Sequence, residues 1–265
     1  MKPVDFRYVR PRTLAEALQV LASEADAKIM AGGQTLGTML NLRLAQPAVI
    51  VDITRIAELA RVEETAEAVT YGAIVTHAAI EDGRAPDPTR GYMARVAHGI
   101  GYSAVRVRGT IGGSLVHADP AADWITCLSV LGADVIVASP AGTRRVAMAD
   151  FMRGALDAAL APGEILTGVR VPKPSAEARF GYAKFCRKEG EFADAIGAAF
   201  VDRARGVHRL VSSTPAGAPQ IITRTAPIAA EEIAGLLDQQ PVGDAYGQRL
   251  RQVTLKRALQ EASLP

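Results

Sequence analysis

The sequence predicts an α+β fold in two consecutive parts, and three observations lead to this prediction. Strand-like apolar runs alternate with helical patterns through the first two thirds of the chain. A polar stretch with two prolines, "PKPSAEA" at 172–178, then interrupts the pattern. Three strand-like runs follow it without an intervening helix. We therefore expect one domain over residues 1–176 and a smaller one over residues 177–265.

The first part opens with a helix signal followed by a strand. Thr13 and Glu16 have the spacing of a capping box, in which a hydroxyl and a carboxylate accept hydrogen bonds from free backbone donors. Leucines then recur at helical spacing, which predicts a short helix over residues 13–24. The apolar run "KIMA" predicts a strand that enters a tight turn at Gly32 and Gly33.

The next elements continue the alternation. The run "TLGTMLNLRLAQP" has a helical pattern that stops before Pro47, and "AVIVDI" at 48–53 is typical of a buried strand. A further strand is predicted over "AVTYGAIVT" at 68–76, with a helix beginning at Thr76. The first half of the chain on its own is compatible with either an α/β or an α+β arrangement.

A helix and three strands complete the first part. The run "DWITCLSVL" predicts a helix, and we expect Asp119 to be its N-cap with Pro120 at the first helical position. Strands are predicted over "DVIVAS" and "RRVAM", which the turn "PAGT" separates, and over "EILTGVRVP" at 164–172.

The second part reads as a three-stranded meander plus helices. Its strand-like runs are "GYAKFCRK", "AIGAAFVDRA" and "GVHRLVSS". The tail "GDAYGQRLRQVTLKRALQEA" predicts a long closing helix.

The composition argues against several classes of protein. Basic and acidic residues number 30 and 28, so a net charge of +2 offers no case for nucleic acid as a partner. The start lacks the apolar core of a secretory signal, and no apolar run is long enough for membrane insertion, so we expect a cytoplasmic protein. The two cysteines, Cys127 and Cys186, lie far apart and give no metal-ligand pattern.

The first glycine pair suggests an anion site. Gly32 and Gly33 follow a predicted strand and precede a predicted helix, so free backbone donors of that helix start would face the turn. Glycine permits close approach of a ligand to the backbone, and Thr35 adds a hydroxyl. A diphosphate fits this chemistry, although a tight turn without a ligand has the same local sequence.

A second glycine pair occurs in "VRGTIGGSLVHADPAADW". Thr110 and Ser114 place hydroxyls on either side of the pair, which we expect to form a second tight turn. His117 is a candidate hydrogen-bond donor to a cofactor, or a histidine that merely stabilises the turn. Asp123 would repel phosphate but would accept hydrogen bonds from sugar or ribityl hydroxyls. We expect the two runs to hold the two ends of one phosphate-bearing cofactor.

These segments resemble a known family. "KIMAGGQTLGTMLNLRLAQPAVIVDI" and "GYSAVRVRGTIGGSLVHADPAADW" are similar to the two signatures of the FAD-binding medium subunit of molybdenum hydroxylases, the carbon monoxide dehydrogenase and xanthine dehydrogenase family. "YAKFCRKEGEFADAIGAAF" and "RLRQVTLKRALQEA" resemble that family's C-terminal flavoprotein domain. The resemblance implies a two-lobed FAD-binding domain of the vanillyl-alcohol-oxidase type, followed by a small antiparallel sheet with helices.

The resemblance also implies a set of site residues. The first run would wrap the FAD diphosphate through Ile29, Met30, Ala31, Gly32, Gly33, Gln34, Thr35 and Leu36. The second would hold diphosphate, ribityl chain and part of the ring through Thr110, Ile111, Gly113, Ser114, His117 and Asp123. Lys184 would extend to the cofactor, and Phe192 would stack near the ring. Many relatives have asparagine where this chain has Ser114, and serine is shorter and lacks the amide donor of asparagine.

The family implies an electron-transfer role without catalytic or metal-binding residues in this chain. Electrons would come from a large molybdopterin subunit through [2Fe–2S] clusters on a small subunit, and an external acceptor such as NAD, a quinone or oxygen would remove them from FAD. The three chains would form a heterotrimer. Two other hypotheses stay open, namely a self-sufficient flavin oxidase of the same fold and a scaffold subunit that has lost its flavin.

Overall fold

The computed structural model describes residues 2–240 and 242–264. The described helices are α1 Leu14–Ser23, α2 Leu36–Asn41, α3 His77–Glu81, α4 Tyr92–His98, α5 Ser103–Arg106, α6 Ile111–His117, α7 Asp123–Leu131, α8 Met148–Phe151, α9 Ile233–Asp238 and α10 Ala245–Ala262. The strands are β1 Arg7–Val9, β2 Ala27–Met30, β3 Val49–Asp52, β4 Val62–Glu64, β5 Ala68–Gly72, β6 Asp134–Ser139, β7 Gly142–Ala147, β8 Met152–Gly154, β9 Asp157–Ala158, β10 Ile165–Pro172, β11 Arg179–Phe185, β12 Ala195–Asp202, β13 Val207–Ser213 and β14 Gln220–Arg224.

The N-terminal lobe is a three-stranded parallel sheet in the order β1-β3-β2. The predicted capping box starts α1, because the Thr13 hydroxyl accepts a hydrogen bond from Glu16 N and the Glu16 carboxylate accepts one from Arg12 N. The central strand β3 is buried along its whole length, as its apolar run predicts. Since the three strands are parallel, their carboxyl ends lie on one edge, and the Gly32–Gly33 bend follows β2 there.

The second lobe is a five-stranded antiparallel sheet in the order β4-β5-β10-β6-β7. The helices α6 and α7 contact its central strand β10. The main apolar core lies here and includes Trp124, the one tryptophan of the chain, together with Tyr71 and Phe151. This core buries the back of the second glycine run and so gives that run a fixed support.

The C-terminal sheet has four antiparallel strands in the order β11-β12-β13-β14, and the prediction of three strands is therefore wrong. The missed strand is β14, a short edge strand whose side chains are all at least partly exposed, so it lacks the buried alternation on which sequence prediction depends. Strand β12 is buried on both faces, since α10 covers one side of the sheet and α7 contacts the other. The predicted closing helix is confirmed by α10.

The polar stretch 172–178 is held by both parts of the chain. Its Ser175 donates a backbone and a side-chain hydrogen bond to the buried carboxylate of Asp202, at 2.9 and 2.7 Å. The Arg90 guanidinium donates to the carbonyl oxygens of Ser175 and Ala178. The segment is thus pinned rather than loose, and the domain boundary at 176 stays a prediction.

The predicted start of the helix that contains Trp124 is wrong. Helix α7 begins at Asp123 with Ala122 as its N-cap, not at Asp119 and Pro120. Asp119 instead accepts a hydrogen bond from Ala121 N at 2.9 Å, so its carboxylate stabilises the turn before the helix.

Helix α2 also ends earlier than predicted, at Asn41. Arg43 adopts a left-handed conformation with φ 57°, and Leu44 N donates back to Met39 O at 2.8 Å. This bond closes the helix end in the manner of a C-terminal cap.

Among the described residues, no helix has the length and apolar character needed to cross a membrane.

Candidate cofactor site

The two glycine runs, 76 residues apart in sequence, lie in direct contact. A methyl group on Gly32 would overlap the carbonyl oxygen of Arg108, and it would lie 3.0 Å from Gly109 N. The Arg108 side chain also donates from Nε to Gly32 O at 3.2 Å. A methyl group on Gly113 would lie 2.8 Å from the Thr110 hydroxyl oxygen and 3.9 Å from the Cβ atom of Ala31. The structure therefore joins the two runs into one candidate site, as predicted.

Within each pair, the first glycine faces the protein and the second faces outward. A methyl group on Gly112 would lie 2.6 Å from Ala73 O, so that position is closed by the chain's own backbone. Gly113 is exposed, whereas Gly112 is buried. Gly33 adopts φ +73°, a conformation that favours glycine, and only the Met30 side chain lies near the position of a Cβ atom. Gly33 therefore leaves room for a ligand, whereas a side chain on the exposed Gly113 would meet the hydroxyl of Thr110 on its own helix.

The first run presents a row of free backbone donors. Throughout residues 2–240 and 242–264, no acceptor lies within hydrogen-bonding geometry of the N–H groups from Gly32 to Leu36. The bend at Gly33 and the start of α2 place these donors in succession. Successive unpaired N–H groups at a turn and a helix start form a cradle for an anionic group. This arrangement fits a diphosphate.

The second run is not a second free turn, and that prediction is wrong. It forms the first turn of α6, with Thr110 as N-cap. Its donors are already bonded: Ile111 N to Val75 O, Gly112 N to Ala73 O, Gly113 N to the Thr110 hydroxyl, and Ser114 N to Thr110 O. The run therefore offers a ligand the bare face of Gly113, and not a set of free amides.

The other predicted residues of the two runs occupy different environments. Ile111 is fully buried, so its side chain serves the core rather than a ligand. Ser114 and His117 lie half-buried on α6. Ile29 and Met30 form the end of β2, and Ala31, Gln34 and Thr35 belong to the bend.

Asp123 and Lys184, both predicted to contact the cofactor, form an ion pair in which the carboxylate is buried and the ammonium is largely buried. The Lys184 ammonium donates to one carboxylate oxygen at 3.1 Å and to Gly99 O at 3.2 Å. The Tyr182 hydroxyl donates to the other carboxylate oxygen at 2.7 Å. Burial raises the pKa of the Asp123 carboxyl, and Lys184 and Tyr182 act in the opposite direction because both stabilise its anion.

Sequence reasoning missed Tyr182, although a signal for it exists. Tyr182 and Lys184 are two residues apart on β11, so both side chains point to the same face of the sheet. That face meets the N-terminal end of α7, where Asp123 lies. Burial, together with the nearby Asp123 charge, raises the pKa of Tyr182 well above its usual value, so the hydroxyl keeps its proton.

Phe192 lies in the loop between β11 and β12, with 64% of its surface exposed. The loop is anchored to the segment between α4 and α5 through Tyr102, whose hydroxyl donates to Glu189 O at 3.3 Å. A role for Phe192 beside a flavin ring stays a prediction.

Fold and geometry together define a protein that binds a phosphate-bearing cofactor at the edge of a parallel sheet. Residues 4–174 match the family described as the FAD binding domain in molybdopterin dehydrogenase. The chain therefore belongs to that family and is an FAD-binding component of an oxidoreductase, which confirms the resemblance. The row of free donors and the bare Gly113 face fit the diphosphate of FAD.

Curated relatives agree with this assignment. The chain is 37% identical over 193 residues to the nicotine 6-hydroxylase medium subunit of Paenarthrobacter nicotinovorans, covering 72% of this chain and 67% of that protein. It is 33% identical over 207 residues to the carbon monoxide dehydrogenase medium chain of Afipia carboxidovorans, covering 78% and 72%. These alignments thus span about two thirds to three quarters of each chain.

Solved structures extend the likeness to nearly the whole chain. Carbon monoxide dehydrogenase from Hydrogenophaga pseudoflava superposes with a TM-score of 0.87 at 28% identity, covering 99% of this chain and 98% of that one. Quinoline 2-oxidoreductase from Pseudomonas putida 86 superposes with a TM-score of 0.85 at 30% identity, with the same coverage. The predicted α+β fold is confirmed.

Proposed function

We propose that this chain is the FAD-carrying electron-transfer subunit of a multi-subunit molybdenum hydroxylase. It takes electrons from [2Fe–2S] clusters on a small partner subunit, and an external acceptor removes them. The observation that carries the proposal is the row of unpaired N–H groups from Gly32 to Leu36, set beside the exposed face of Gly113. The medium-subunit relatives support the proposed assembly with a large molybdopterin subunit.

The residues have distinct roles in this proposal. The amides of the first run hold the FAD diphosphate, and Gly113 lets the cofactor lie against α6. Asp123 and Lys184 orient the ribityl end, with Lys184 offsetting the negative charge of the carboxylate so that it does not repel the phosphates. Bound FAD supplies the redox chemistry, and the protein supplies binding, orientation and electrostatics.

Flavin binding is tested with the full chain, purified with the subunits that accompany it. The wild-type preparation is expected to be yellow or to become so on reconstitution with FAD. Gly113→Val places a branched side chain on the exposed face, beside the N-cap hydroxyl of Thr110, and is expected to weaken FAD binding about tenfold or more in a chain whose folding is checked by thermal unfolding. Gly37→Val is the matched control, because no atom lies within 4 Å of its Cβ position.

The same preparations separate the alternatives. A colourless wild type that cannot be reconstituted contradicts the proposal, and an intact complex unaffected by Gly113→Val then favours the scaffold hypothesis. Substrate turnover by this subunit alone favours the self-sufficient oxidase. Strict dependence on two further subunits, identified by pull-down, supports the electron-transfer role.

A further inference from the structure

Residues 73–77 form the support on which the second glycine run rests. Gly112 packs on Ala73 and donates its N–H to Ala73 O at 3.0 Å. Thr76 pairs with Thr110 in an isolated antiparallel bridge, and Ile111 N donates to Val75 O. His77 ends the support, since its backbone N–H donates to Gly109 O at 3.0 Å.

The His77 side chain links this support to α7. Its ring is 5% exposed, and its Nδ1 atom accepts a hydrogen bond from the indole Nε1–H of Trp124 at 2.9 Å. The ring also lies close to Gly109, because a methyl group there would come within 2.8 Å of its Cδ2 and Nε2 atoms. An Nδ1 atom that accepts this bond carries no proton, so the imidazole is neutral and has its single N–H at Nε2.

Trp124 directly follows Asp123 in the first turn of α7. His77 therefore connects two helix starts: that of α6, through Gly109 and Thr110, and that of α7, through Trp124. These two starts carry the second run's exposed glycine and its buried carboxylate. A shift of the indole would move the Asp123 carboxylate relative to Gly113.

We propose that His77 is a positioning residue for the flavin site, whose acceptor nitrogen sets the start of α7 relative to the start of α6. The inference rests on the proposed FAD-binding function. In this role His77 makes no contact with the cofactor and transfers no proton. Its effect passes through the Trp124 indole.

Two substitutions separate the acceptor from the bulk of the ring. His77→Asn keeps an acceptor oxygen near the position of Nδ1, whereas His77→Phe keeps a ring and leaves the buried indole N–H without a partner. We expect His77→Phe to weaken FAD binding about tenfold. We expect His77→Asn to stay within about threefold of the wild type.

The single tryptophan provides a readout that does not depend on flavin. The indole N–H resonance of Trp124, recorded in the full chain without FAD, is expected to shift in His77→Phe and to stay near its wild-type position in His77→Asn. Ser129→Ala is the control on the same helix, because the buried Ser129 hydroxyl has no partner among the described residues.

A second route covers a His77→Phe variant that fails to fold. Trp124→Phe removes the donor of the same bond instead, and we expect it to weaken FAD binding about tenfold, as His77→Phe would. Normal FAD affinity in His77→Phe despite a shifted Trp124 resonance would overturn the proposal, as would equal weakening by His77→Phe and His77→Asn. A wild type that binds no FAD contradicts the proposed function itself.

Discussion

Gly32 lies directly against the backbone of Arg108, and this contact joins the two glycine runs. A side chain on Gly32 would overlap the Arg108 carbonyl, and the Arg108 guanidinium in turn donates to Gly32 O at 3.2 Å. The need for glycine at this position is thus set by packing within the protein. Gly33 has a left-handed conformation that favours glycine and leaves an open face, and a side chain on the exposed Gly113 would meet the Thr110 hydroxyl at 2.8 Å.

Gly32→Ala should destabilise the fold itself. The added methyl group meets backbone atoms that cannot rotate away, and overpacking of this kind costs about 1–3 kcal/mol. Thermal and denaturant unfolding measure the loss. Gly37→Ala is the matched control: its Cβ position is open and lies in α2, so stability should stay equal or rise by up to about 1 kcal/mol. Equal behaviour of the two variants would contradict the packing role of Gly32.

Lys184→Met should leave the Asp123 carboxylate buried without its cation. Breaking a buried pair by removing one partner costs about 3–5 kcal/mol, whereas the double change with Asp123→Asn should cost less than Lys184→Met alone. In this variant burial still raises the pKa of the Asp123 carboxyl above its value in the unfolded chain. The loss of unfolding free energy is therefore smallest at acidic pH, where the carboxyl is protonated, and it grows as the pH rises. Urea unfolding at several pH values measures the loss in the single and the double variant. A loss that does not change with pH, or a double variant as unstable as Lys184→Met, would contradict the prediction.

His77 should make the protein sensitive to acid. Burial lowers the pKa of His77 from 6.5 to about 4, so the unfolded chain binds a proton more readily than the folded one. The contribution of neutral His77 to the free energy of unfolding is complete above about pH 6.5. It decreases as the pH falls, and about 3 kcal/mol is lost by pH 4.

The comparison with His77→Asn isolates this contribution from the carboxylates that also titrate in acid. The free energy of unfolding of the wild type, taken relative to that of His77→Asn, should fall by about 3 kcal/mol between pH 7 and pH 4. A constant difference over that interval would show that the imidazole titrates alike in both states.

Asp202→Ala should release the segment 172–178. The carboxylate is fully buried and accepts bonds from the Ser175 backbone and side chain and from Arg205 N, so its loss should cost about 2–4 kcal/mol. Limited proteolysis should then cut within this segment and leave fragments that end near residue 176. Asp157→Ala, which removes only the exposed pair with Arg153, should leave the proteolysis pattern unchanged.

Local sequence patterns determined much of this protein. The capping box at Thr13 and Glu16, the helical spacing that follows it and the apolar strands are confirmed, because each depends on neighbours within a few residues. The two glycine runs were sufficient to indicate the family, since each is long and chemically specific.

Only the tertiary structure decided how those runs work. It closed Gly32 and Gly112 against backbone, left Gly33 open, exposed Gly113 beside the Thr110 hydroxyl, and used the amides of α6 within the protein. It also paired Asp123 with Lys184 across 61 residues, and His77 with Trp124 across 47. A local pattern records which conformation a segment prefers. Which distant group will occupy its donors and acceptors is set by packing of the whole chain.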